Sequence, residues 1–230
     1  MTLTHQTISS ISIIIPTLDE RGNIAQQASA LANTGCEVIV VDGGSGDDTV
    51  ETAEAAGFTV LSSPPGRGRQ LNLGARKAAG DILLFLHADT RLPSGFASTV
   101  ITALQSSECS VGAFRLAIDE SSPALRFIAY CANLRSRFLH LPYGDQALFT
   151  TRDTFEKVGG FAELALMEDF LFVKKAQRQG SVLITEDYVT TSARRWKRKG
   201  ILRTTIINQV MVAGYYFKIP PEKLALLYDR

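Results

Sequence analysis

Four groups of residues in this chain could do chemistry together. Asp42 precedes Gly43-Gly44-Ser45-Gly46, so a carboxylate stands beside a turn with little side-chain bulk. Such a carboxylate can accept from a base N–H or a ribose hydroxyl, while the glycines let a ligand approach the backbone; the alternative is that Asp42 braces its own turn. His87 and Asp89 follow an unbroken apolar run. A carboxylate with phosphate oxygens suits Mg²⁺ or Mn²⁺, and an imidazole suits Mn²⁺ better than Mg²⁺, although His87 could equally serve as a structural hydrogen-bonding group. Arg67 and Arg69 flank Gly68 at a predicted helix start, where backbone N–H groups and guanidinium charge suit a pyrophosphate; a plain surface loop is the other reading. Glu168-Asp169 opens a later helix. Paired acids there can favour the helix dipole, or supply a general base that deprotonates an attacking hydroxyl.

These groups act together only if the fold brings them to one place. Residues 8–15, 37–41, 58–61 and 82–86 are short β-branched or apolar runs, and residues 21–33, 49–56 and 69–79 between them read as helices. Pro16 is expected to end the first strand, Asp19 to cap the next helix, and Asp47 or Asp48 to cap the one after. The β-α-β-α-β-α-β order predicts a mostly parallel, right-handed sheet flanked by helices. All its strand C-termini then lie on one edge, so residues 16–20, 42–44 and 87–89 should meet there. The second half is less regular. Helices are expected over 93–104, 123–138, 153–158, 167–179 and 200–217, with a short last helix beyond Pro220-Pro221, and strands over 111–118, 146–150 and 182–185.

Composition narrows the function classes. With 45% hydrophobic and 20% charged residues, 230 residues can fill the core of one domain. A net charge of +1 gives no case for nucleic acid. Locally, residues 188–221 hold seven cations and no acid, a patch that could face phosphates, a membrane or only solvent. Cys36, Cys109 and Cys131 are sparse and unpaired in spacing, which suits a reducing compartment. No signal peptide or membrane span is legible, so a cytoplasmic protein is expected. Gly43-Gly44-Ser45-Gly46 lacks the G-x-G-x-x-G spacing of dehydrogenase folds.

At the same residues the chain resembles a family-2 glycosyltransferase of the GT-A fold, and within it a compact bacterial subgroup. Ile14-Ile15-Pro16-Thr17-Leu18-Asp19-Glu20 resembles the family's opening strand and loop. Val40 through Thr49 resembles its "VDDGSxDxT" segment, and Gly66 through Ala75 its "GxxxAxNxG" stretch. His87-Ala88-Asp89 stands where the family has D-x-D, with His87 departing from that pattern. Gly159-Gly160-Phe161 followed by Glu168-Asp169 resembles "GGF…ED", and Arg195-Trp196 its arginine–tryptophan pair, with Ser192 where a glutamine is usual. Tyr143-Gly144-Asp145-Gln146 belongs to the subgroup's pattern.

The resemblance implies a single GT-A Rossmann-like α/β domain over 1–230, with a nucleotide-binding half at 1–92, an acceptor half at 93–199 and a C-terminal helical appendage at 200–230. It implies sugar transfer from a nucleoside-diphosphate sugar, a UDP-sugar favoured, to an acceptor hydroxyl with inversion. Asp169 would be the base beside Glu168. Pro16, Thr17, Glu20, Asp42, Gly44, Arg67, Arg69, Ala88, Asp89, Arg195 and Trp196 would bind the donor. Asp89, with His87, would hold Mn²⁺ or Mg²⁺, and Tyr143, Gly144, Asp145 and Gln146 would face the acceptor. The helix over 200–217 could rest on a membrane and reach a lipid-linked acceptor, or pack on the domain or in a homodimer. A nucleotidyltransferase acting on a sugar phosphate and a non-catalytic nucleotide-binding module are the rival readings. The acidic loop 16–20 speaks against the first and the acid pair 168–169 against the second.

Overall fold

The computed structural model describes residues 10–105, 108–164, 166–217 and 219. Strand β1 (Ile11–Thr17) is the axis of the molecule, and its alternation decides the layering. Ile11, Ile13 and Ile15 point into one core with Ile24, Leu31, Ala53, Phe96 and Val100. Ile14 points the other way, into a second core with Leu71, Ala75, Phe155, Phe170 and Phe172. A strand buried along its length except at Pro16, its side chains alternating between two apolar cores, is therefore covered on both faces, as a parallel sheet requires.

The chain proceeds through α1 (Arg21–Leu31), β2 (Glu37–Asp42), α2 (Thr49–Ala55), β3 (Thr59–Ser62), α3 (Arg67–Lys77), β4 (Ile82–Phe85), β5 (Thr90–Arg91), α4 (Phe96–Leu104), β6 (Cys109–Ile118) and α5 (Pro123–Leu139). After a 3₁₀ turn at Gly144–Gln146 come β7 (Phe149–Thr151), α6 (Arg152–Val158), α7 (Glu168–Ala176), β8 (Ser181–Thr191), α8 (Arg194–Lys199) and α9 (Ile201–Tyr216). The described residues form an eight-stranded sheet in the order β3-β2-β1-β4-β7-β6-β8-β5. The β1–β2, β2–β3, β1–β4 and β6–β8 pairs are parallel, and β4–β7, β6–β7 and β5–β8 are antiparallel. The expected α/β sheet, mostly parallel with flanking helices, is the fold observed.

Several local expectations are corrected. Pro16 does not end β1, which continues to Thr17 in register with Asp42. Pairing with β4 stops at Ile14–Phe85, so the missing N–H of Pro16 falls beyond the last rung on that side. Asp19 does not cap α1. It has left-handed backbone, φ 54°, and accepts from the Gly46 N–H at 2.7 Å. The first N–H groups of α1 are met across the loop instead, Glu20 N–H donating to Thr49 Oγ1 and Arg21 N–H to Asp47 Oδ2. Asp48 occupies the N-cap position before α2 but its side chain makes no capping hydrogen bond; Asp47 accepts from Thr49 N–H. Strand β8 runs well past Thr185. Its polar middle, Glu186-Asp187-Tyr188, is exposed, and Val189 and Thr191 return to the core side. The expected helix beyond Pro220-Pro221 lies outside the described residues.

Candidate functional site

The C-terminal ends of β1, β2 and β4 meet as the topology requires, and a cleft of about 620 Å³ opens above them. Its floor is Pro16, Thr17, His87, Ala88 and Asp89. The turn carrying His87 and Asp89 is anchored from three sides. Leu86 N–H donates to Ile14 O, Gln27 Nε2 donates to the carbonyls of Ala88 and Thr90, and Thr90 Oγ1 donates to Thr191 Oγ1 of β8 at 3.0 Å.

One wall is the N-terminus of α3. Arg67 reaches Glu168 Oε1 at 3.3 Å, with Arg67 half exposed and Glu168 buried. Gln70 donates to the carbonyls of Thr17 and Val41 at 2.9 and 2.8 Å, joining α3 to the ends of β1 and β2. Asn72 then clamps α3 to the Gly159-Gly160-Phe161 turn, donating to Phe161 O and accepting from Phe161 N–H, each at 2.9 Å. That clamp, and the Phe85, Phe155, Phe161 and Phe172 ring cluster beneath it, fix where α7 begins.

Asp169 stands at that helix start. Its Oδ2 accepts from Gly144 N–H and its Oδ1 from Phe170 N–H, both at 2.7 Å. Gly144 has no room for a side chain, because a Cβ would lie 2.8 Å from His87 Nε2 and 3.2 Å from Asp169 Oδ2. The 3₁₀ turn is therefore wedged between the His87 side and the Asp169 side of the cleft. Behind it, Gln146 is buried and occupied, donating to Phe114 O and accepting from Ser136 Oγ. The Arg135 guanidinium lies 3.4 Å over the Tyr143 ring.

The electrostatics follow from burial. Burial, then the Arg67 and Arg195 guanidiniums, push His87 down to about 3, so its imidazole is neutral at pH 7. Burial and the nearby Glu20 raise the Asp89 carboxyl above its ordinary range. Burial and Asp169 raise Glu168. Burial lifts Asp145 to about 6 against the pull of Arg135, with Asp169 and Asp89 adding to the rise and Arg195 also opposing it; its Oδ1 is buried without a hydrogen-bond partner.

This predicts a stability signature. Between the ordinary 3.8 and about 6 the folded chain binds the Asp145 proton more tightly than the unfolded chain does. Its contribution is therefore full below the ordinary value, is lost as pH rises to about 6, and changes no further above that. His87 acts oppositely, since its folded value lies below its unfolded one. The difference between wild type and Asp145→Asn isolates the aspartate. Denaturation across pH should find the variant gaining up to about 3 kcal/mol on wild type from pH ~4 to pH ~6 and level above; a flat difference would contradict it.

The sequence-predicted residues divide into two sets. Pro16, Thr17, Glu20, Arg67, His87, Ala88, Asp89, Tyr143, Asp145, Glu168, Asp169, Arg195 and Trp196 line the cleft together. Asp42, Gly44, Arg69, Gly144 and Gln146 do not line it. The Asp42 carboxylate accepts from Gly44 N–H, Ser45 N–H, Ser45 Oγ and Thr17 Oγ1. Burial raises its carboxyl, but those hydrogen bonds carry it below its ordinary value. Arg69 faces outward and pairs with Glu163 at 3.3 Å.

Sequence reasoning missed Gln70, Arg194 and the inner face of α9. Arg194 reaches Glu20 Oε1 at 2.6 Å, tying α8 to the loop after β1, and Met211 and Val212 complete an apolar wall. Gln70 lies inside the glycine-arginine stretch but carries no signal of its own, since its partners are carbonyls 53 and 29 residues away.

Among the described residues, no three His, Cys, Asp or Glu side chains converge to cage a metal ion. Asp89 and a neutral His87 fit a hard cation whose remaining ligands are oxygens brought by a bound molecule, as is usual where phosphates share the ion.

Comparison with known proteins agrees with this geometry. A glycosyltransferase of Mycobacterium tuberculosis described as uncharacterized is 39% identical over 90 residues, 37% of this chain and 34% of that one. Glucosyl-3-phosphoglycerate synthase of Mycolicibacterium paratuberculosis is 36% identical over 93 residues, 35% of this chain and 28% of that one. The match thus spans about a third of each curated relative's length. Among solved structures, the fold is similar to glucosyl-3-phosphoglycerate synthase from Mycobacterium tuberculosis in complex with Mn²⁺, uridine-diphosphate and glucosyl-3-phosphoglycerate (TM-score 0.63, 21% identity, 88% of this chain and 79% of that one). It is also similar to a mannosyltransferase from Pyrobaculum calidifontis in complex with GDP-Man and Mn²⁺ (TM-score 0.60, 18% identity, 78% and 56%). The Glycosyl transferase family 2 model matches residues 12–162, from the first strand through the Gly159-Gly160-Phe161 turn, and the chain belongs to that family.

Proposed function

We propose that this chain transfers a sugar from a nucleoside-diphosphate sugar, a UDP-sugar first, to an acceptor hydroxyl with inversion. The observation that carries the reading is the convergence, in one cleft, of the Asp89 strand end, the Arg67 helix start and the Glu168-Asp169 pair. The base and ribose rest near Thr17 and Glu20, and the diphosphate lies between Asp89 and the guanidiniums of Arg67 and Arg195. A divalent ion held by Asp89, with His87 as a neutral neighbour, would supply charge neutralisation to the leaving diphosphate. Tyr143 and Asp145 face the acceptor. Asp169, oriented by two backbone N–H groups, takes the acceptor hydroxyl proton as that oxygen attacks the anomeric carbon from the face opposite the diphosphate. Glu168 does not compete for this role, since it is buried against Arg67 and holds that guanidinium toward the cleft.

Mn²⁺ and UDP are named for the synthase of similar fold, and Mn²⁺ with GDP-Man for the mannosyltransferase; both bases therefore belong in the test. Thermal unfolding is measured with UDP, GDP and other diphosphates, each with and without Mn²⁺. A diphosphate at about 100 times its dissociation constant should add roughly 2.7 kcal/mol. Because the side chains of the described residues form no complete cage, Mn²⁺ alone should shift little and Mn²⁺ with one diphosphate much. The Asp89→Asn variant should lose the metal-dependent part. No shift with any diphosphate in folded protein would overturn the reading.

A further inference from the structure

The helices that build the acceptor side of the cleft also present apolar stripes to the outside. On α5, Leu125, Ala129, Ala132 and Ser136 are buried. Directly opposite them on the helical wheel, Phe127, Tyr130 and Phe138 are 65%, 59% and 69% exposed, and they fall on one stripe at helical spacing. Helix α9 packs against α5 and repeats the pattern. Thr204, Met211 and Tyr215 fix its inner side, Tyr215 by an edge contact with Phe170 at 4.8 Å. Ile206, Val210 and Phe217 are 53%, 42% and 80% exposed on the outer side. Three aromatics on a helix that the fold already holds in place are not required by folding, and exposed apolar patches of this kind mark interaction surfaces.

The charge around them selects the partner. Residues 121–144 contain Arg126, Arg135 and Arg137 and no acid, and residues 188–217 contain six Lys or Arg and no acid. Arg126, Arg137, Arg198 and Arg203 are exposed beside the stripes. Lys197 and Arg194 are paired with Glu120 and Glu20, but aromatic and aliphatic residues flanked by the exposed Arg126 and Arg137 of α5 and by Arg198 match an anionic bilayer surface. A second copy of the chain would bring the same exposed arginines of α5 to meet themselves.

We infer that the outer faces of α5 and α9 seat this protein on an anionic lipid surface and that the acceptor hydroxyl belongs to an amphiphile in that surface. The second half of this inference rests on the sugar-transfer reading; the first does not. The cleft connects to the docking face through the same two helices. Ser136 and Arg135 of α5 hold the Tyr143–Gln146 turn, and Met211 and Val212 of α9 form an apolar cleft wall suited to the lipid-proximal part of an acceptor. No described helix is long and apolar enough to cross a membrane, so the attachment lies at the interface.

The test is co-sedimentation with vesicles of phosphatidylcholine alone and with about 30% phosphatidylglycerol added, at low and high salt. The wild-type chain should pellet with the anionic vesicles at low salt, much less at high salt, and little with phosphatidylcholine alone. The triple change Phe127→Ser, Tyr130→Ser, Phe138→Ser should weaken that binding about tenfold or more, with diphosphate binding and donor hydrolysis in solution unchanged because none of the three lines the cleft. Failure of the wild-type chain to bind anionic vesicles overturns the inference. So does a concentration-dependent dimer that the triple change dissociates, since the face would then belong to a second copy. Vesicle binding without any diphosphate shift would keep the lipid surface and remove the acceptor reading.

Discussion

Replacing Asp169 with asparagine should lower sugar transfer by about 10²–10⁴-fold, the range lost with a general base, while diphosphate binding persists. The side chain sits across the cleft from the strand-end floor, and its two oxygens take their geometry from Gly144 and Phe170 N–H groups. A carboxylate held by two fixed donors keeps its orientation before substrate arrives, so in the proposed role its loss should appear in kcat more than in KM. The check is single-turnover transfer alongside a diphosphate titration. Trp196, the single tryptophan of the chain, lines the cleft and gives the titration an intrinsic fluorescence signal. Transfer near the wild-type rate would remove Asp169 from the role. Diphosphate binding lost together with transfer would mean that the substitution moved the Gly144 turn into the His87 side of the cleft.

The second large effect is expected from a residue that touches no substrate. At Gly68, in the first turn of α3, an added Cβ would lie 2.3 Å from Ala162 O and 3.4 Å from Glu168 Cβ. The clash is with backbone, so no rotamer relieves it. Gly68→Ala must push α3 away from the 161–168 segment, and with it Arg67 away from Glu168 and Asp169. Overpacking of this kind costs about 1–3 kcal/mol. The larger consequence is catalytic, because a displacement of about 1 Å between reacting groups can cost about 100-fold. Transfer should therefore fall about 100-fold in protein that still melts cooperatively at a somewhat lower temperature. Gly66→Ala makes the contrast, since a Cβ there meets only Arg69 Cβ at 3.9 Å and any loss comes from its φ of 143°. Equal activity of Gly68→Ala and wild type would show that the α3 contact does not set the geometry.

The N-terminal half was legible because its signals are local. Ile13, Ile14 and Ile15 announce a strand covered on both faces, and the Asp42–Asp48 turn residues announce a break. The order of the first four strands then follows from right-handed crossovers. What sequence could not reveal depends on partners far along the chain. The Asp42 carboxylate looks available in sequence but is enclosed by donors from its own turn and from Thr17. Asp19 looks like a cap, yet its left-handed backbone turns it toward Gly46. Strand β5 is two residues long, and only its pairing with Thr190 and Thr191 of β8 makes it a strand at all. The α9 wall of the cleft, and the exposure of the aromatics on α5, depend on how the two helices pack. Hydrophobic periodicity does not distinguish a buried aromatic from one offered to a partner.

The placement of β4 and β5 bears on how the protein is made. The chain leaves β4 in the middle of the sheet at Phe85 and enters β5 at its far edge at Thr90, so the His87–Asp89 turn bridges two parts of the sheet with very different histories. The β1 side of that turn exists as soon as the fourth strand has emerged. The β8 side waits for Thr191, 101 residues later, and at about 5–20 residues per second that is an interval of about 5–20 s. Until β7 (Phe149–Thr151) has been made, about three-fifths of the way through that interval, the free edge of β4, Ile82-Leu83-Leu84-Phe85, has no strand to cover it. Until then a nascent chain carries a nearly finished N-terminal half-sheet and an open apolar strand, the combination most prone to pairing with the wrong neighbour, and the His87–Asp89 turn is the last part of that half to become rigid.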